Sequence, residues 1–174
     1  MTDSASAPVV ELVDAGKYLE ASRRSSQTVV LTNGCFDLIH HGHIRFLQAC
    51  AALGDVLVVG LNDDKSVTTL KGRGRPVLTA DQRAQVLAAI RWVDLVVIFP
   101  QLTAGRLIEV VRPNVYVKGA EYDPASGDRP LPELESATKA GCKLRFVKLI
   151  PGASSSDMFR RASATVPRDP TDQG

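Results

Sequence analysis

The chain has 174 residues, of which 44% are hydrophobic, 23% charged and 5% aromatic, and its net charge at pH 7 is +2. At about 150 residues per domain this length predicts one domain, and the ordinary apolar content excludes global disorder. The small net charge argues against a general nucleic-acid or anionic-membrane binder, which would carry a strongly basic face. No apolar run approaches the ~20 residues that span a bilayer. Three cysteines without a CxxC spacing favour reduced thiols in a cytoplasmic protein over a disulfide framework.

The two ends of the chain are predicted to be flexible. Residues 1–8 are small and polar, and residues 164–174 contain two prolines and no apolar periodicity. A single domain, residues 9–163, is expected between them. Within it, runs rich in β-branched residues predict five strands: Thr28–Leu31, Asp55–Leu61, Leu95–Phe99, Val115–Val117 and Leu144–Leu149.

Segments with helical spacing separate these strands. Thr79 followed by Gln82 forms a capping-box pattern at one helix start, and Pro113 ends the helix before the fourth strand. The alternation predicts an α/β fold, a Rossmann-like doubly wound sheet of about five parallel strands with helices on both faces. Ligands of such sheets bind beyond the carboxyl ends of the strands, so residues that follow strands are the candidate site residues.

The strongest chemical signal lies between the first predicted strand and the next helix. Gly34 permits a tight exit from the strand, and Gly42 allows a phosphate to approach the backbone closely. His40 and His43 are three residues apart, which puts them on one face of a helix that starts nearby. A helix amino terminus favours phosphate, and two imidazoles there can donate hydrogen bonds to a triphosphate. Two alternatives are that the histidines only cap the helix, or that they bind zinc, for which no third ligand stands out.

The string GCFDLIHHGH, residues 34–43, resembles the GxFDxxHxGH motif of the cytidylyltransferase-like nucleotidyltransferases. Three further segments, VVGLNDDKSVTTLKGRGRPV, LAAIRWVD and VKGAEY, are similar to the sugar-phosphate branch, above all to the D-glycero-D-manno-heptose 1-phosphate adenylyltransferase group. The resemblance implies that a sugar 1-phosphate oxygen attacks the α-phosphorus of a nucleoside triphosphate and that pyrophosphate leaves. It also implies Mg²⁺ bound mainly through the triphosphate, with no metal site of the protein's own.

The resemblance assigns roles to residues of this motif. His40 and His43 are expected to stabilise the transition state at the α-phosphoryl group, and Asp37 is expected to lie beside the substrate. The residues of the motif expected to bind the nucleotide are Gly34, Cys35, Phe36 and Gly42.

A basic, glycine-punctuated segment, LKGRGRP, follows the second predicted strand. Lys71 in this segment is predicted to act on phosphate as a catalytic and substrate-binding residue. Asn62 and Asp63, at the end of the strand, are predicted to contact substrate. The alternative for Lys71 is a solvated surface loop.

Two arginines lie eight positions apart on a predicted helix, Ala80–Arg91, and therefore near one face of it. Arg91 matches an arginine that related glycerol-phosphate cytidylyltransferases use near the phosphates, which makes it a candidate nucleotide-binding residue. The alternative is that Arg83 and Arg91 both face solvent.

Two later segments complete the predicted nucleotide site. Lys118, Gly119 and Glu121 follow the fourth strand, where the glycine suits close approach of a nucleobase and the side chains offer polar contacts. A simple turn is the alternative. Three serines precede a short helical tail and resemble the family's second phosphate-binding signature, with simple N-capping as the other interpretation: Ser154, Ser155 and Ser156.

Residues 123–133 depart from the heptose pattern, which continues after this point with a short apolar stretch. This segment is expected to touch the sugar or the nucleobase, so the acceptor is less well specified than the triphosphate end of the site.

Together the motifs predict transfer of AMP from ATP to a heptose 1-phosphate, giving ADP-heptose and pyrophosphate. One alternative is a CTP-dependent cytidylyltransferase acting on glycerol 3-phosphate or a similar small phosphorylated alcohol. Another is a non-catalytic nucleotide-binding module. The expected partners are ATP and a phosphorylated sugar, with no nucleic acid and no membrane, and the resemblance implies a homodimer.

Overall fold

The computed structural model describes residues 6–148 and has a single parallel sheet at its centre. The sheet has six strands, one more than expected, and every strand pairing is parallel. The strands are β1 (Val9–Glu11), β2 (Val29–Gly34), β3 (Val56–Asn62), β4 (Leu95–Phe99), β5 (Val115–Gly119) and β6 (Lys143–Val147).

Seven α-helices connect or precede these strands. They are α1 (Ala15–Tyr18), α2 (Glu20–Arg24), α3 (His41–Ala51), α4 (Asp64–Lys71), α5 (Ala80–Ala88), α6 (Gly105–Val111) and α7 (Leu134–Lys139) within residues 6–148. A short 3₁₀ turn, Ala120–Tyr122, follows β5. None of the helices in this part of the chain is long and apolar enough to cross a bilayer.

The strand order is β1-β4-β3-β2-β5-β6, so the chain builds outward from β2 in one direction and then returns to its other side. β2 pairs with β3 on one edge and with β5 on the other. The reversal leaves a crevice beyond the carboxyl ends of β2 and β5, where ligands of doubly wound sheets bind. The segments after β2, β3, β4 and β5 all reach this end of the sheet.

Two apolar layers cover the two faces of the sheet, which confirms the doubly wound arrangement. On one face the sheet packs against α1, α6 and α7 through residues such as Ala15, Leu107 and Ala137. On the other face it packs against α3 and α5 through Leu47 and Leu87. Burial of both faces explains why β3 and β4 are nearly continuous apolar runs.

The structure departs from the predicted elements in three places. β1 has only three residues, too few for an alternating pattern to stand out in sequence. Helix α4 covers part of the segment treated as a basic loop, and Lys71 is its last residue. Helix α5 ends at Ala88, three residues before the expected Arg91, while the Thr79–Gln82 capping box at its start is present as predicted.

Candidate active site

A cavity of about 620 Å³ opens at the carboxyl ends of the central strands. We call it the cleft. Its wall contains residues from the segments after β2, β3, β4 and β5. Nine of the predicted site residues line it: Gly34, Cys35, Phe36, His43, Asn62, Lys71, Lys118, Gly119 and Glu121.

The two histidines of the motif stack on each other at the amino terminus of α3. Their ring centroids are 3.8 Å apart. Nδ1 of His40 accepts a hydrogen bond from the Gly42 amide at 3.1 Å, and Nδ1 of His43 accepts one from the His40 amide at 3.4 Å. The two side chains thus form a capping box, so helix capping is one of their roles. Because Nδ1 accepts in both rings, the remaining proton of each neutral imidazole lies on Nε2, which leaves a donor free for a ligand.

The surroundings keep both imidazoles neutral. Burial, then the neighbouring His40 and Lys71, lower the pKa of His43 to about 4. Burial, then His41, lowers the pKa of His40 as well. A neutral imidazole with its proton on Nε2 is a hydrogen-bond donor that does not depend on pH near neutrality.

The lowered pKa of His43 predicts a loss of stability in mild acid. The unfolded chain takes up the proton near pH 6.5, whereas the folded chain resists it until about pH 4, so the free energy of unfolding falls as the pH drops between these values. This one group accounts for at most about 3 kcal/mol. Denaturant unfolding at pH 7.5, 6 and 5 measures the slope, and His43→Asn, which retains a cap acceptor without a titrating ring, should flatten it. Equal slopes in the two proteins would contradict this account.

Phe36 shapes the turn that carries the motif out of β2. Its backbone has φ 43, a left-handed conformation that is uncommon for a bulky residue, and its ring is buried. The ring lies 5.3 Å from that of His43. A Cβ at position 34 would lie 3.2 Å from the Phe36 ring, so Gly34 leaves the room that this ring needs. The turn exposes the Cys35 and Phe36 segment to the cleft.

Arg83 holds the ends of two strands together beneath the cleft. Its side chain is fully buried, and it donates to the carbonyl oxygens of Cys35 at 2.6 Å and Asn62 at 2.9 Å. It also donates to the Leu78 carbonyl at 3.0 Å and pairs with the Asp64 carboxylate at 2.7 Å. The interpretation of Arg83 as a solvent-facing residue is therefore wrong. The guanidinium ties the segment after β2 to the segment after β3.

Asp37 also holds two segments of the chain together. It was expected beside the substrate, but it does not line the cleft. It is 1% exposed, and its Oδ2 lies 2.6 Å from Nε of Arg75. Its Oδ1 accepts hydrogen bonds from the backbone amides of Val77 at 2.7 Å and Leu78 at 3.3 Å. These partners direct the carboxylate to the segment after α4, which anchors that segment against the motif.

The segment after β5 brings a cation and a carboxylate into the cleft. Nζ of Lys118 lies 3.3 Å from Oδ1 of Asn33 and 4.6 Å from the centre of the Tyr122 ring. The carboxylate of Glu121 lies against Gly119, at a point that a Cβ would occupy. A side chain at position 119 would therefore displace the Glu121 carboxylate from this position.

The segment 123–133, which departs from the family pattern, folds back onto the cleft. The Arg129 amide donates to the Glu121 carbonyl at 2.9 Å, and Leu131 is buried in the apolar layer that includes α6 and α7. Arg129, Pro132 and Glu133 then line the cleft. Sequence reasoning missed Glu133, because an acidic residue in a proline-rich stretch carries no signal of burial.

Several predicted residues lie elsewhere. Arg91 is exposed, stacks over Trp92 at 5.3 Å, and precedes β4, so it lies toward the amino ends of the strands, away from the cleft. Asp63 is the N-cap of α4, where its Oδ1 accepts from the Ser66 amide at 2.7 Å. His40 and Gly42 form the start of α3, where the His40 side chain accepts from the Gly42 amide, and neither lines the cleft. The predicted serines lie outside the described residues: Ser154, Ser155 and Ser156.

Comparison with known proteins agrees with this geometry. The cytidylyltransferase-like family matches residues 31–161. The chain is 41% identical over 143 residues to the bifunctional protein HldE of Syntrophotalea carbinolica, covering 82% of this chain and 28% of that protein. It is also 41% identical over 152 residues to the bifunctional protein HldE of Gluconobacter oxydans, covering 87% of this chain and 31% of that protein. The chain thus spans less than a third of the length of these relatives.

A solved structure shows the same fold. The lipopolysaccharide core biosynthesis protein from Thermoplasma volcanium superposes with a TM-score of 0.55 at 24% identity, over 71% of this chain and 97% of that one. The family match covers most of the chain and includes both the histidine motif and the segment after β5. The chain belongs to the cytidylyltransferase-like family.

Proposed function

We propose that this protein transfers AMP from ATP to a heptose 1-phosphate, giving ADP-heptose and pyrophosphate. The observation that carries the proposal is the pair of stacked, neutral imidazoles at the amino terminus of α3, of which His43 lines the cleft together with Lys71. The heptose acceptor is supported by the segments after the second and fourth predicted strands that resemble the heptose group, and agrees with similarity to the HldE proteins.

In the proposed reaction an oxygen of the sugar 1-phosphate attacks the α-phosphorus in line. The bond from the α-phosphorus to the bridging oxygen breaks, and its electrons leave with pyrophosphate. No proton has to be moved, so the protein acts by positioning and by stabilising charge. The Nε2 proton of His43 would bind an α-phosphoryl oxygen from the cleft wall, and that of His40, whose ring stacks on His43 next to the lining, would donate to the same phosphoryl group. The amino terminus of α3 would attract the phosphates.

Mg²⁺ is proposed to arrive with the nucleotide and to be held mainly through the triphosphate. Among residues 6–148 no three His, Cys, Asp or Glu side chains are grouped as metal ligands. Glu121 supplies a carboxylate oxygen in the cleft wall, the ligand type that Mg²⁺ prefers. Mg²⁺ held by the triphosphate, water and Glu121 would neutralise phosphate charge.

Homodimer formation and a cytoplasmic location stay predictions.

The direct test is pyrophosphate release in the presence of Mg²⁺, with ATP and CTP each combined with heptose 1-phosphates and with glycerol 3-phosphate. We expect release only from ATP with a heptose 1-phosphate. Turnover of CTP with glycerol 3-phosphate would agree with the proposed mechanism but contradict the proposed substrates. Nucleotide binding without pyrophosphate release from any pair would contradict the proposed transfer.

Lys71→Ala is expected to raise the KM for ATP or for the sugar phosphate about tenfold, because it removes a phosphate-binding cation from the cleft wall. Lys65→Ala is the matched control, since Lys65 lies on the same helix, is exposed and does not line the cleft. Steady-state kinetics of both variants measure the effect. Unchanged KM values for Lys71→Ala would show that Lys71 is a solvated surface residue without a role in phosphate binding.

A further inference from the structure

Helix α4 forms part of the cleft wall, and both of its ends are tied to the histidine motif. Asp64, its first residue, pairs with Arg83, whose guanidinium also donates to the Cys35 carbonyl. Beyond its last residue, Nε of Arg75 lies 2.6 Å from Oδ2 of Asp37. The contacts of Arg83 hold the strand ends beneath the cleft, whereas the proposed function assigns no role to the contact of Arg75.

The ion pair between Arg75 and Asp37 lies inside the protein. The two side chains are 8% and 0% exposed. Such a pair keeps one geometry, because separating the charges would leave each of them unpaired in a poorly solvated place. The backbone of Arg75 is held as well, since its carbonyl oxygen accepts from the Thr68 hydroxyl of α4 at 2.7 Å. Arg75 is thus attached both to the motif and to α4.

An open turn of three residues joins Lys71 to this fixed point. Gly72 and Gly74 have φ 91 and φ 80, and a Cβ added at either position would meet nothing within 4 Å. The turn therefore has no packing at these two positions that could hold it in place. The orientation of Lys71 at the end of α4 depends on the anchored residues on either side, the helix before it and Arg75 after it.

Lys71 lies where a small displacement would change its effect on phosphate. It lines the cleft together with His43, and its charge contributes, after burial and His40, to the lowered pKa of His43. The attraction between two charges falls as the inverse of their separation. An ammonium moved from about 3 to about 6 Å from a phosphate oxygen therefore loses about half of this attraction.

We infer that Arg75 is a positioning residue for phosphate binding, and that its ion pair with Asp37 fixes where Lys71 reaches into the cleft. The inference rests on the proposed function for its ligand class, a nucleoside triphosphate and a phosphorylated sugar. Arg75 does not line the cleft and acts through Lys71. The motif in this view supplies the donor His43 and also sets the position of the cation.

Calorimetric binding of ATP and of heptose 1-phosphate to the full chain tests the inference, in a double-mutant cycle of Arg75→Gln with Lys71→Ala. Arg73→Gln is the matched control, because Arg73 lies in the same turn, is exposed and does not line the cleft. Arg75→Lys retains a cation beside Asp37. Thermal melting shows how far each variant is destabilised.

A second substitution weakens the hold on Arg75 and leaves the buried ion pair in place. Thr68→Val removes the hydroxyl that donates to the Arg75 carbonyl, at an exposed position of α4. Thr69→Val is its control, because the Thr68 and Thr69 hydroxyls each donate to the carbonyl four residues earlier and Thr68 alone also bonds to Arg75. If Arg75→Gln does not fold, the same cycle with Thr68→Val decides the question.

Arg75→Gln is expected to weaken the ligand that Lys71→Ala weakens, by about three- to tenfold, and to add less than about twofold once residue 71 is alanine. Thr68→Val should show a smaller loss, about twofold, with the same dependence on Lys71. Arg75→Lys should recover most of the affinity, and both controls should bind as the parent does.

Losses that add in full to that of Lys71→Ala would overturn the inference, because Arg75 would then act through other residues. Unchanged affinity in Arg75→Gln, or in Lys71→Ala, would overturn it too. Because binding is measured, absence of pyrophosphate release would count against the proposed function and leave this result standing.

Discussion

His43→Ala is expected to lower kcat for pyrophosphate release about 100-fold or more, the size expected for one preorganised transition-state donor. The imidazole lines the cleft, is held against His40, and keeps its proton on Nε2 because Nδ1 accepts from the backbone. Steady-state kinetics with ATP and a heptose 1-phosphate measure the effect. ATP binding should weaken much less than kcat, because the donor acts mainly on charge that develops during the reaction.

Two further variants separate chemistry from helix capping. His41→Ala removes a neighbouring imidazole that is exposed and does not line the cleft, so its kcat should stay within about threefold of the parent protein. His43→Asn retains a side-chain acceptor for the His40 amide but offers no imidazole donor, so it should melt close to the parent and turn over as slowly as His43→Ala. Near-normal turnover in either His43 variant would contradict the mechanism.

Arg83→Leu is expected to lower the free energy of unfolding by at least about 3 kcal/mol, because it removes a buried cation and leaves its partners unpaired. Those partners include the carbonyl oxygens of Cys35, directly after β2, and of Asn62, the last residue of β3, and both residues line the cleft. Denaturant unfolding with a two-state fit measures the loss. Protein that still folds should also bind ATP more weakly, since the motif turn loses its anchor.

Arg91→Leu is the matched control for this variant. Arg91 follows α5 and is exposed, and its contact with the Trp92 ring is its one interaction described in residues 6–148. A change within about 0.5 kcal/mol is expected for it. Equal destabilisation by the two substitutions would show that Arg83 contributes no more than a surface arginine does.

The fold could be predicted from sequence wherever one local pattern dominates. Continuous apolar runs marked β3 and β4, and a side-chain pattern marked the start of α5 at Thr79. Short elements could not be predicted in this way. β1 gains its stability from pairing with β4, a contact between distant parts of the chain that leaves no local periodicity at Val9–Glu11.

Residues that line the cleft could be predicted where a motif lies at the end of a strand or the start of a helix on that side of the sheet, as at Gly34, His43 and Gly119. They could not be predicted where tertiary contacts decide the role of a side chain. Arg83 and Arg91 are the same residue type eight positions apart, yet one is buried among carbonyl oxygens and the other is exposed. Helix α5 ends at Ala88, between the two arginines. The prediction that both lie on one face of the same helix therefore fails.

The N-cap of α3 carries a cost that selection for stability alone would remove. His40 holds this position with φ −140, although Ser, Thr, Asp and Asn are the side chains that favour it most. An aspartate would also interact more favourably with the helix dipole, but it would place a negative charge where the triphosphate is expected to bind. A weaker cap is therefore retained together with an uncharged donor. Position 40 is one at which thermostabilising substitutions and activity are expected to oppose each other.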